Sequence, residues 1–378
     1  MSPTTQTASA EEADRARTKP VPEAVDDLAP LLKPVLEKYK LPAMAAAIVR
    51  GGRTIGLGAV GVRQLGSPEQ VAIDDHFHLG SCTKSITATL CARLVERGKL
   101  SWDTTIARVF PELVGDMHSS YGDVTLEQLL THRGGVPHDV PTLVWQELWA
   151  HRGSPTQARK LLLEHTIRAK PQLTPGTSYI YSNAGFSIAG HMAERVTGES
   201  WEDLVTKEVF KPLEMAGAGF GAPGLPEVLD QPRGHTKQGR PVKPGRWGQG
   251  DNPIAIGPAN SVHCSIGDWA KYVAMHLRGA QADATFLKPD TFAKLHTPAD
   301  GPGEKYAMGW LVTSRDWGGG GVLTHFGSNT MWSAVTWIAP QRDFAVLVVC
   351  NHGGPMARTA TDEAIWRLIQ YHLEQRGR

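Results

Sequence analysis

Cysteine is scarce in this chain, with four in 378 residues, and Cys82, Cys91, Cys264 and Cys350 form neither a close pair nor a metal-ligand spacing. That excludes a disulfide scaffold and points to free buried thiols. Long apolar runs are also missing. The best, Ala43 to Val49 and Phe344 to Cys350, are too short to cross a bilayer, so no membrane span is expected. Nor is there an excess of one charge: 39 Lys+Arg against 38 Asp+Glu leaves a net +1. This argues against a nucleic-acid or membrane-surface partner, both of which usually need a basic excess. No His-Glu-x-x-His and no Gly-x-Ser-x-Gly occurs, which speaks against a zinc peptidase and an α/β-hydrolase. His76 and His78 share a strand face, but no third ligand follows at a suitable spacing, so no metal is expected. No internal repeat is visible.

What is present fits a soluble globular protein: 41% hydrophobic and 20% charged residues, in a chain long enough for one large domain or two interleaved ones. Met1 to Pro20 is polar and lacks the apolar core of a secretion signal, and residues 1–22 read as a disordered leader. The compartment stays open: cytoplasm, or periplasm or exterior if a signal has been removed.

Val25 to Tyr39 reads as an amphipathic helix, Ala43–Arg50 as a buried strand, Gly51-Gly52 as a hairpin turn and Arg53 to Val62 as the returning strand. Gly56-Leu57-Gly58-Ala59-Val60-Gly61 matches a dinucleotide fingerprint in form. No helix opens at these glycines, however, so no cofactor is expected. From Trp102 to Gly257 the pattern is mostly helical, with Thr125 capping a short helix and Gly198 closing another over Gly185 to Thr197. Gly219 to Pro258 is rich in Gly and Pro and reads as a long surface excursion. Strands return at Tyr306 to Thr313, Gly321 to Phe326, Met331 to Ala339 and Phe344 to Cys350, followed by a terminal helix, Ala357 to Gln375. The expected fold is α/β: an antiparallel sheet built from both chain ends (residues 23–98 plus 262–378), flanked by N- and C-terminal helices, with a mainly helical domain inserted over residues 99–261.

Ser81-Cys82-Thr83-Lys84 is the chain's one Ser-x-x-Lys. It follows the short strand His76-Phe77-His78 and a glycine turn, and a helix continues from it to Arg97. On a helix this spacing puts hydroxyl and amine on one face, one turn apart. A serine becomes a useful nucleophile when a neighbouring base takes its proton, and an amine kept neutral can be that base. Alone, the tetrapeptide equally fits an ordinary helix start with a solvated lysine. Two further clusters bear on it. Tyr181-Ser182-Asn183 sets a phenol and a carboxamide just before a helix, and His325-Phe326-Gly327-Ser328 lies at a strand end where glycine permits close approach.

Together and in order, Ser81-x-x-Lys84, Tyr181-x-Asn183 and His325-x-Gly327 resemble the penicillin-recognising serine hydrolases, in the branch of class C β-lactamases, DD-peptidases and family VIII carboxylesterases. Leu129-Leu130-Thr131-His132-Arg133-Gly134-Gly135, Phe186-Ser187-Ile188-Ala189-Gly190 and Lys211-Pro212-Leu213 match similar strings of that branch. The resemblance implies a β-lactamase/transpeptidase-like fold and a serine hydrolase working through an acyl-serine. Ser81 would attack the carbonyl, and Lys84 and Tyr181 would share the proton work, with the choice of base left open. Asn183 would orient Lys84 or the substrate, with His325 and Gly327 beside it. The backbone N–H groups of Ser81 and Ser328 would form the oxyanion hole. Trp310 and Trp332 flank the third motif as candidate walls of an acyl pocket.

Where β-lactamases of this branch usually carry lysine, this chain has His325, and a neutral imidazole holds a carboxylate less well than an ammonium. The class A deacylation string Glu-x-x-Leu-Asn is also missing. Small carboxylic esters are therefore the expected substrates. D-amino-acid peptidase, DD-peptidase, acyltransferase or weak β-lactamase activity are the alternatives on the same scaffold. A catalytically silent protein that binds cell-wall peptide or a partner is the alternative of another class. A small-molecule ester or amide is the expected ligand, and the oligomeric state is left open.

Overall fold

The computed structural model describes residues 25–245, 250–282 and 285–376, so the leader expected over residues 1–22 lies outside it. Its strands are β1 (Asp26–Asp27), β2 (Ala43–Arg50), β3 (Arg53–Gly61), β4 (His76–His78), β5 (Gly219–Phe220), β6 (Gly234–His235), β7 (Pro241–Val242), β8 (Val262–Ser265), β9 (Leu311–Arg315), β10 (Gly320–Ser328), β11 (Ser333–Ala339) and β12 (Phe344–Cys350). Seven of them make one sheet in the order β1-β3-β2-β12-β11-β10-β9. The junction between the two chain ends is the antiparallel pair β2–β12, with Ala47 opposite Leu347. Every pairing in this sheet is antiparallel except the short β1–β3 contact.

The sheet is buried on both faces, which explains why β2 and β12 read as continuous apolar runs. Ala43, Ala45, Ala47 and Val49 with Ala345, Leu347 and Val349 face the larger core, which includes helix Ile266–Ala280 and the central helix Thr83–Glu96. The alternate residues Met44, Ala46, Ile48, Val346 and Val348 face the N-terminal helix Ala29–Tyr39 and the terminal helix Pro355–Arg376. None of the helices among the described residues is long and apolar enough to cross a membrane.

Several boundaries differ from expectation for local reasons. The first helix starts at Ala29 rather than Val25, because Asp26–Asp27 pairs with β3 and the Asp27 carboxylate accepts the Ala29 N–H at 2.9 Å. The fingerprint-like glycines of β3 serve packing: a Cβ on Gly58 would lie 2.6 Å from the Ala29 nitrogen, so the helix start rests directly on the strand. The strand expected from Tyr306 begins at Leu311, because the chain turns tightly at Gly309 (φ 84) and Ala307 N–H donates to the Trp310 carbonyl at 2.8 Å. The excursion after Gly219 is more than surface. Arg233, His235 and Asp251 are buried, β5 pairs with β8, and β6 pairs with β7.

Candidate active site

The central helix is enclosed along its length, from Thr83 through Ala92. Its polar side chains are mostly hydroxyls that find local partners: Thr87 donates to the Pro258 carbonyl at 2.6 Å, and Thr83 accepts the Val262 N–H at 3.0 Å. A lysine at its second position cannot reach water, and Lys84 is 0% exposed. The solvated-lysine alternative is thereby removed.

Strand β4 ends at His78, Gly80 takes up the left-handed region (φ 52), and a 3-10 turn over Gly80–Cys82 leads into the helix. This turn sets Ser81 at the helix entrance, with Lys84 Nζ 3.1 Å from its Oγ. The same nitrogen lies 2.7 Å from Asn183 Oδ1 and 3.0 Å from the Ala259 carbonyl, and 4.6 Å above the Tyr181 ring. Burial pushes the Lys84 pKa well below its usual 10.5. Burial raises the Tyr181 phenol above its usual value, an effect that the nearby Ser81 hydroxyl partly offsets.

The Tyr181-Ser182-Asn183 segment is gripped from outside. Ile180 N–H donates to the His132 carbonyl at 2.8 Å and Ser182 N–H to His132 Nδ1 at 3.1 Å. The His132 ring packs 4.4 Å from that of Tyr181. Ser182 caps the helix Asn183–Thr197 by accepting the Gly185 N–H at 3.2 Å, which aims Asn183 inward at the helix start.

The third motif meets the first back to back. A Cβ on Gly327 would come within 2.9 Å of the Ser81 nitrogen, and one on Gly80 within 2.3 Å of the Ser328 nitrogen. Only glycines permit this approach, and it sets the Ser81 and Ser328 peptides side by side. Next to them opens a cleft of about 390 Å³, lined by Val140, Trp145, Asn183, Ile256, Asn260 and Ser328 among others. A larger cavity of about 850 Å³ lies away from this chemistry, between β9–β11 and the terminal helix.

Two expectations need correction. His325 does not offer its ring to the cleft: it is 4% exposed, its Nδ1–H donates to the Phe326 carbonyl at 2.8 Å, and its Nε2 accepts from the Tyr306 hydroxyl at 3.0 Å. Trp310 and Trp332 do not line the cleft either. Both are core side chains, packed on His276 (5.0 Å) and Phe77 (5.9 Å) respectively. Sequence reasoning missed the Ala259 carbonyl and Asn260, which donates to the Ser328 carbonyl at 3.3 Å. A backbone carbonyl carries no residue signature, so no signal could have revealed the first.

Burial presses His325 down to about 3 and His235 to about 4. His235 is likewise used on both nitrogens, by the Asn351 carbonyl at 2.8 Å and the Leu65 N–H at 3.1 Å. Folded values below the usual 6.5 mean that the unfolded chain binds more protons under acid conditions. The stability present above pH 6.5 is therefore lost as pH falls toward 4 and 3, on the order of 1–2 kcal/mol per histidine at pH 5. Thermal melts at pH 7.5, 6 and 5 should show a steepening fall in Tm; a flat Tm across that range would contradict these neutral imidazoles.

Residues 28–370 match the Beta-lactamase family. The chain is 25% identical over 345 residues to the unguisins hydrolase ungD′ of Aspergillus campestris, covering 86% of this chain and 61% of that protein. It is 29% identical over 224 residues to the lovastatin esterase of Penicillium rubens, covering 54% of each. The chain thus spans less than two thirds of the length of these relatives. Its backbone resembles the class C β-lactamase from Rhodobacter sphaeroides with a TM-score of 0.71 at 24% identity, over 91% of this chain and 98% of that one. At this identity the likeness concerns fold alone. With a match that runs through the strands of both chain ends and the residues between them, the chain belongs to the Beta-lactamase family.

Proposed function

We propose that the protein hydrolyses small carboxylic esters through an acyl-serine on Ser81, with Lys84 as the neutral base and Tyr181 as the proton carrier. The observation that carries this is the environment of Lys84 Nζ. Two of its three oxygen neighbours, Asn183 Oδ1 and the Ala259 carbonyl, can only accept, and the third is the Ser81 hydroxyl. A neutral amine has two N–H donors and one lone pair. The donors satisfy the two carbonyls, which leaves the lone pair for the Ser81 proton. An ammonium could donate to all three oxygens, the Ser81 hydroxyl included, but it would be a buried cation without a countercharge, since Lys84 forms no ion pair among the described residues; burial favours the neutral amine.

As Ser81 Oγ attacks the ester carbonyl, its proton passes to Lys84, and the oxyanion is held by the Ser81 and Ser328 N–H groups. The proton then reaches the leaving alkoxide through the Tyr181 hydroxyl. Water then attacks the acyl carbon, its proton passes along the same route to Ser81 Oγ as the acyl–serine bond breaks, and the acid leaves. A phenol with a raised pKa stays protonated and suits a relay better than a resident base. Ester preference is supported by two further facts: His325 carries no charge, and no lysine or arginine is among the described residues lining the cleft, so no cation there receives a lactam's carboxylate. The hydrolase and esterase names of two relatives agree with this choice.

A panel of p-nitrophenyl acetate and butyrate, nitrocefin and D-alanyl-D-alanine peptides tests it. Short esters should be turned over fastest, and failure on every one of them would overturn the ester assignment. Tyr181→Phe should lower kcat about 10²-fold or more, while Tm barely moves because the ring keeps its packing on His132. Stopped-flow acylation rates equal to wild type would make the phenol a bystander.

A further inference from the structure

Three buried side chains outside the serine–lysine–tyrosine cluster form a chain of hydrogen bonds whose polarity is set at each link. Gly80 N–H donates to His78 Nδ1 at 3.0 Å. A backbone N–H can only donate, so Nδ1 is the acceptor and the imidazole proton sits on Nε2. Nε2 lies 2.9 Å from Asp251 Oδ2 and donates to it. The other carboxylate oxygen accepts from Asn329 Nδ2 at 3.0 Å and from the Asn252 N–H at 2.8 Å. Asn329 Oδ1 in turn accepts the Met331 N–H at 3.2 Å, which fixes its amide orientation. His78, Asp251 and Asn329 are 0%, 7% and 2% exposed.

The two ends of this chain are informative. One holds the residue before Ser81; the other is the residue after Ser328. These flank the two peptides that the Gly80–Gly327 contact sets side by side. We infer that His78, Asp251 and Asn329 are positioning residues that bolt the Ser81 turn to the end of β10 and so set the spacing of the two N–H donors of the oxyanion hole. The inference rests on the acyl-serine mechanism proposed above. It also accounts for a carboxylate in the Gly219–Pro258 excursion being carried into the interior: its position depends on both segments. His78 and Asp251 lie outside the cleft lining, and Asn329, which does border the cleft, has its amide committed to Asp251 and the Met331 N–H. The effect of the three therefore runs through geometry, and donors pre-set for the tetrahedral state act on kcat.

Asp251→Asn tests this with almost no change of volume. An amide offers one acceptor oxygen where the carboxylate offers two, so an N–H must face either His78 Nε2–H or the Asn329 amide, and the chain breaks. The expected result is a fall in kcat for p-nitrophenyl acetate of about 10²-fold. KM should stay within about threefold. The inhibition constant of phenylboronic acid, whose tetrahedral adduct places an oxygen between the two donors, should rise by a similar factor. Asn329→Ala should reproduce the effect, and it carries the test alone if Asp251→Asn fails to fold, since Asp251 keeps the Asn252 N–H. The double variant should lose little more than either single one, because both cut one chain. Wild-type kcat in a folded variant, a loss confined to KM, or a rate loss without weaker boronate binding would each overturn the positioning role. A wild-type protein that turns over no ester and takes no label at Ser81 would overturn the mechanism beneath it, and with it this inference.

Discussion

Ser81→Ala should remove turnover, with kcat/KM for p-nitrophenyl esters falling on the order of 10⁵–10⁶-fold, as expected when a nucleophile is deleted from a site whose parts act together. The fold should be nearly unaffected. Ser81 is small and 9% exposed, and its loss leaves the Lys84 amine still donating to Asn183 and Ala259. A Tm within a few degrees of wild type should therefore accompany the loss of activity. Intact-mass analysis supplies an independent readout. Wild-type protein exposed to a fluorophosphonate should gain one adduct, mapped to the peptide bearing Ser81, and the alanine variant should gain none. Residual activity near wild type, or a label on another residue, would take Ser81 out of the mechanism.

Lys84→Met should cost about 10²–10⁴-fold in acylation, the usual weight of a general base. Lys84→Arg should be equally poor despite keeping a cationic chain, because a guanidinium does not give up its proton. The wild-type pH profile carries the sharper test. Burial holds the amine well below 10.5, and it works only when neutral. Activity should be low where Lys84 is protonated and rise with pH to a plateau reached well before 10.5. The acid limb then belongs to Lys84, and burial that depresses its pKa widens the working range at neutral pH. An acid limb centred at or above 10.5, or an active Lys84→Arg, would show that the buried amine is not the base.

Much of this site was legible as spacing. Ser81 and Lys84 lie one helical turn apart, Tyr181 and Asn183 frame a helix start, and Gly327 ends a strand; each is a local pattern that backbone geometry makes readable. The antiparallel sheet was legible too, because β2 and β12 are apolar runs of strand length. Reading failed where a distant partner decided the outcome. His325 looked like a substrate contact because its position in the motif says nothing of Tyr306, whose hydroxyl takes up the ring. Trp310 and Trp332 flank the third motif in sequence, but nearness in sequence does not fix nearness to the cleft, and both pack in the core. The Gly219–Pro258 excursion looked like surface because turn-forming residues mask the burial of His235 and Asp251.

The order of residues alone singles out the candidate groups: one Ser-x-x-Lys, a Tyr-x-Asn and a strand-end glycine. The tertiary structure alone decides the surroundings in which these groups sit. Whether Lys84 is a solvated cation or a neutral base depends on its enclosure and on carbonyls from residues 183 and 259, both far along the chain. Proton affinity responds to dielectric and to partners in space, and neither is written in the local sequence.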